Sequence, residues 1–88
     1  MASYKLELKP SALRELRGFP REVIVKLSKA IEGLSEDPFP HQSQKLSGSV
    51  NAYRLRVADY RIIYTVEKDA SRITVVRIVH RREVYRKR

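Results

Sequence analysis

Arg54 and Arg56 alternate along one stretch of chain and Arg61 follows shortly after them. Further on, His80-Arg81-Arg82-Glu83-Val84-Tyr85 gathers a histidine, two more arginines and a tyrosine. Guanidinium groups present a planar fork of donors that suits phosphate and neutralises negative charge building up on it. They are poor proton carriers, because their pKa lies above about 12. Histidine is the type whose ordinary titration falls near neutrality, and a tyrosine can orient a hydroxyl, accept its proton or stack on a flat ring. The set suits chemistry at a phosphate ester. Arg54, Arg56, Arg61 and the basic tail that begins at Arg81 could converge on one bound phosphate, and His80 and Tyr85 are of types that could move a proton beside it.

Each residue also has a plainer role open to it. Arg54 and Arg56 could line a solvated strand face, and Arg61 could pair with Asp59 or Glu67. His80 could close a strand end through a hydrogen bond, and Tyr85 could anchor the tail on a sheet. Tyr4, Tyr53, Tyr60 and Tyr64 have apolar neighbours and read as packing residues. His41, alone among prolines and glutamines, reads as surface.

The charge distribution favours an anionic partner. The 88-residue chain carries a net +9, and residues 50–88 hold eleven Lys/Arg against four Asp/Glu, nine of those eleven cations being arginine. A field of that sign and composition points to nucleic acid. With no cysteine and two histidines, neither a disulfide nor a zinc site is expected, and no cofactor is implied. There is no glycine-rich phosphate loop and no Gly-x-Ser-x-Gly elbow, so nucleotide-dependent and serine-hydrolase chemistry lack support. No apolar run is long enough to cross a membrane, and the N-terminal residues lack a signal-peptide core, so the expected location is the cytoplasm.

The elements that must position these residues follow from periodicity. The length suits a single domain spanning 1–88. Tyr4 to Lys9 alternates with period two, as a half-buried strand does, and Pro10 stops it. Pro10 opens a short helix with Leu13 and Leu16 on one face, and Gly18 ends it. Pro20 opens a longer helix with Ile24, Leu27, Ile31 and Leu34 at helical spacing. Only Gly18-Phe19-Pro20 separates the two, which predicts a helical hairpin. Residues 35–50 hold two prolines, serines and a glycine without periodicity, and read as a surface loop. Ala52 to Val57 and Tyr60 to Val66 are β-patterned, and Ile73 to Val79, apolar on both faces, reads as a central strand. The tail from Arg81 reads as one helical turn or an extended end. The sum is α+β, in the order β-α-α-β-β-β: a small antiparallel sheet with a helical hairpin on one face and the other face free. Strand alternation puts Arg54 and Arg56 on the free face.

The phrases Lys45-Leu46-Ser47-Gly48, Tyr53-Arg54-Leu55-Arg56-Val57, Asp59-Tyr60-Arg61-Ile62-Ile63-Tyr64 and Val79-His80-Arg81-Arg82-Glu83-Val84-Tyr85, in this order, resemble the RelE/ParE toxin superfamily. The resemblance covers nearly the whole chain. It implies the toxin of a type II toxin-antitoxin pair, held by a cognate antitoxin whose amphipathic segment lies in a groove between hairpin and sheet. For the RelE branch it implies a metal-independent endoribonuclease that enters the ribosomal A site and cleaves mRNA by attack of a ribose 2′-hydroxyl on the adjacent phosphate, inhibiting translation. The site residues carried over are Arg54, Arg56, Arg61, Arg81 and Tyr85. This chain has arginine where the best-known pattern has lysines at 54 and 56, which assigns both to phosphate binding rather than proton transfer. The ParE branch implies a different outcome, non-enzymatic inhibition of DNA gyrase, and an inactive RNA-binding module is a third.

Overall fold

The computed structural model describes residues 3–80. They form β1 (Lys5–Leu8), α1 (Pro10–Arg17), α2 (Arg21–Gly33), β2 (Ser43–Lys45), β3 (Ala52–Val57), β4 (Tyr60–Glu67) and β5 (Arg72–His80). The five strands make one sheet in the order β1-β5-β4-β3-β2. The α+β class, the helical hairpin and the three-strand meander are as expected, and two features of the sheet differ.

First, the sheet is mixed. β3, β4 and β5 are joined by tight turns and pair antiparallel, but β1 adds to the free edge of β5 in parallel, Lys5 opposite Arg72 and Leu8 opposite Val75. Alternation tells which face a side chain takes and carries no information on the direction of the partner strand. The central position of β5, between β1 and β4, explains its apolar character on both sides. Second, the segment read as loop contains β2, which pairs antiparallel with β3. Its three residues, Ser-Gln-Lys, have no hydrophobic pattern to betray a strand; the edge of β3 recruits them. Gly48, at φ +79°, supplies the left-handed turn that returns the chain to β3.

The core lies between the hairpin and one face of the sheet. Leu27, Ile31 and Leu34 of α2 and its exit pack with Leu55, Ile62, Tyr64, Val66, Ile73, Val75 and Ile78. In α1 the buried pair is Ala12 and Leu16, four apart, while Leu13 faces solvent. The stripe expected through Leu13 and Leu16 is therefore rotated toward Ala12, a residue small enough for the helix to approach the sheet closely.

α1 also replaces a strand. After Leu8, β1 leaves the edge of β5, the last bond of that edge running from the Lys9 N–H to the Val75 carbonyl at 2.9 Å. Beyond it the backbone of β5 would face solvent unpaired. Instead, the Ser11 hydroxyl donates to the Val76 carbonyl at 3.4 Å and the Ile78 N–H donates to Glu15 Oε1 at 2.7 Å. Glu15 Oε2 accepts from Arg77 Nε at 2.7 Å. At the same place β5 carries a bulge: Ile63 of β4 faces Arg77, Tyr64 faces Val75, and Val76 has no opposite number.

Candidate functional site

Cross-strand register decides which side chains share a face. Arg54 lies opposite Ile63 and Arg56 opposite Arg61, so all three arginines project from the face that the helices leave uncovered. Gln44 of β2, opposite Arg54, joins them, and its Oε1 accepts a hydrogen bond from Arg54 Nη2 at 2.8 Å. A cleft of about 310 Å³ opens between these strands and the end of the preceding loop, lined by His41, Gln42, Ser43, Gln44, Arg54, Arg56 and Arg61. Its lining is predominantly polar, and among the described residues it contains no acid.

The other two arginines of the described strands are ion-paired. Arg72 sits between Glu67 at 3.3 Å and Glu7 at 4.0 Å, and Arg77 is held by Glu15. Among the described residues, Arg54, Arg56 and Arg61 form no ion pair; Arg61 takes neither Asp59 nor Glu67. The unpaired guanidinium charge of the described strands is therefore concentrated on β3 and β4. A row of uncompensated guanidinium groups on a rigid strand pair is a ready acceptor for a phosphate and for the charge a phosphorane would develop.

The loop wall of the cleft is fastened from inside the protein. The Tyr64 hydroxyl, buried in the core, donates to the Pro38 carbonyl at 2.7 Å. Burial pushes the Tyr64 phenol up to about 12, further raised by Tyr53 and Asp37 and partly offset by a hydrogen bond with Ser43, so it stays protonated as a donor. The Phe39 ring packs on Tyr53, which stacks on Tyr64, with centroids 5.0 and 5.8 Å apart. The Ser43 N–H and hydroxyl both donate to the Pro40 carbonyl, at 2.9 and 2.7 Å, closing a turn with His41 and Gln42 at its apex. The Arg56 N–H donates to the Gln42 carbonyl at 3.4 Å, tying that turn to β3.

Of the residues singled out from sequence, Arg54, Arg56 and Arg61 come together. His80 does not join them. It lies opposite Tyr60 on the helix-covered side, with its ring edge-on to Tyr60 at 5.0 Å, and Tyr60 in turn meets Phe19 at 4.9 Å. Arg81 and Tyr85 lie outside the described residues.

The family model for the ParE toxin of the type II toxin-antitoxin system, parDE, matches residues 6–85 of this chain. The chain belongs to the RelE/ParE toxin superfamily. A Methanocaldococcus jannaschii protein that bears the name toxin RelE1 is 31% identical over 83 residues, 91% of each chain. The isolated Escherichia coli RelE toxin superposes with a TM-score of 0.79 at 27% identity, covering 97% of this chain and 94% of that one. A chain of the archaeal RelE-RelB complex from Pyrococcus horikoshii shares the fold, with a TM-score of 0.81 at 24% identity over 90% and 96% of the two chains.

Four residues lining the cleft of this RelE/ParE toxin were not foreseen, His41, Gln42, Ser43 and Gln44. Gln44 was hidden because β2 was. His41 gave no local signal at all: it reaches the cleft through the Tyr64 tether and the pairing of β2 with β3, both contacts between segments distant in sequence.

Proposed function

We propose that this type II toxin is a ribosome-dependent endoribonuclease that cleaves mRNA in the A site by attack of a ribose 2′-hydroxyl on the adjacent phosphate. The observation that carries this reading is the cleft in which Arg54, Arg56 and Arg61 stand together with no acid among the described residues, while Arg72 and Arg77 are ion-paired. Arg54 and Arg56 on β3 and Arg61 on β4 grip the scissile phosphate and stabilise the charge of the phosphorane; the family resemblance assigns Arg81 and Tyr85, outside the described residues, to the same chemistry. Dependence on the ribosome fits a shallow polar cleft that holds a phosphate but offers little to orient a free RNA chain. The likeness to RelE-named proteins, at 31% and 27% identity, supports the same branch. The protein has a cognate antitoxin, as a member of a type II toxin family, and an acidic amphipathic segment is the form that suits its basic surface.

A second reading, non-enzymatic inhibition of DNA gyrase, is favoured by the ParE description of the matching family model. The deciding experiment is primer extension on a translated message with purified protein, with and without ribosomes. New RNA 5′ ends that need ribosomes and vanish in Arg61→Ala support the nuclease. Uncut message with gyrase-linked DNA breaks supports the second reading, and salt-sensitive RNA binding without product leaves only a binding module.

A further inference from the structure

The three arginines of the cleft meet the charge demand of phosphate cleavage but cannot carry its proton steps, because guanidinium keeps its protons across the working range of pH. Among the described residues lining the cleft, His41 alone is of a type that gives and takes protons near neutrality. Its place is built rather than incidental. The turn that carries it is closed by two hydrogen bonds onto the Pro40 carbonyl, tied to β3 through Arg56 and Gln42, and anchored from the core by Tyr64 at Pro38. The other histidine, His80, is on the opposite side of the sheet against Tyr60.

Resting on the endoribonuclease reading, we propose that His41 is a catalytic residue, the general base of the reaction. Its neutral imidazole takes the proton of the 2′-hydroxyl as O2′ bonds to phosphorus. The P–O5′ bond breaks, and the departing 5′-oxygen takes a proton from solvent water, leaving a 2′,3′-cyclic phosphate and a 5′-hydroxyl. The arginines hold the phosphate throughout and exchange no proton.

His41 is exposed, so its replacement leaves the core untouched. The test is single-turnover cleavage on programmed ribosomes by wild type, His41→Ala and His41→Gln, with ribosome binding measured in parallel. The expected result is a loss of about a hundredfold in the cleavage rate of both variants. Binding stays unchanged, and added imidazole raises the rate of His41→Ala alone. A message with sulfur at the bridging 5′ position, which leaves without a proton, should not restore His41→Ala. Variants cutting within about threefold of wild type would overturn the proposal, as would full recovery on the 5′-thio message, which would make His41 the acid. Wild-type protein that cuts nothing removes the nuclease reading itself, and the base assignment with it.

Discussion

Arg56 and Arg61 stand directly opposite each other on β3 and β4, two like charges facing across neighbouring strands. In antiparallel sheets such pairs destabilise, their Cβ atoms being about 4.5–5.5 Å apart. The fold thus carries a local conflict that packing does not require, at the place where the charge demand of phosphate binding would be met.

That conflict makes the first prediction. Arg56→Gln and Arg61→Gln should each raise stability by about 0.5 kcal/mol in urea unfolding, while lowering ribosome-dependent cleavage about a hundredfold or more. Loss of activity with loss of stability would mean the arginines are held by contacts that favour them.

With no acid among the described residues of the cleft, the proposed RNA binding should depend on salt in a countable way. Replacing Arg54, Arg56 and Arg61 together by Gln should reduce the slope of log affinity against log salt by about 2 on single-stranded RNA. Replacing Arg72, held by Glu7 and Glu67, should leave that slope nearly unchanged.

Glu15 should prove a structural residue. Its carboxylate accepts from the Ile78 N–H and the Arg77 guanidinium on the edge of β5 that β1 has left. Glu15→Ala should cost about 1–3 kcal/mol in urea unfolding, and Glu15→Gln less, since an amide oxygen can still accept from the backbone. The Arg77 share should shrink with added salt, because that side chain is partly exposed.

Tyr64 sets an alkaline limit on the loop wall of the cleft. Its folded pKa of about 12 lies above the ordinary 10, so its contribution to stability is complete below pH 10 and disappears as pH rises through 12. Tyr64→Phe should be less stable than wild type by about 1–2 kcal/mol at neutral pH. The gap should narrow across pH 10–12, because only wild type must keep that phenol protonated; a constant gap in urea titrations at both pH values would show that the hydroxyl is not the group involved.

Much of this molecule was legible from periodicity alone. The alternation of Tyr53, Leu55 and Val57 with Arg54 and Arg56 gave the face of each side chain, and the spacing of Leu27, Ile31 and Leu34 gave the buried stripe of α2. Three things were hidden, each because it depends on contacts between distant segments. The direction of β1 is decided by which edge of β5 is open, and β2 is a strand only because β3 offers it an edge. His80 was associated with the arginines by its neighbours in the chain. The bulge at Val76 and the pairing of His80 with Tyr60 put its ring on the other side of the sheet, and no single-strand pattern reveals a bulge in advance.

The parallel pairing of β1 with β5 has a kinetic side. Lys5 meets Arg72, so one of the first strands to be synthesised finds its partner only in the last described one. Contacts that span so much chain are slow to form, because the loop between them must be closed first. While the chain is being made, β1 and the hairpin have no β5 to rest on, and β4, which bears Arg61, lacks its central neighbour. The arginine face is thus assembled as a late event, after residues 72–80 have been translated. A growing chain therefore lacks the completed five-stranded sheet until its last described strand has emerged.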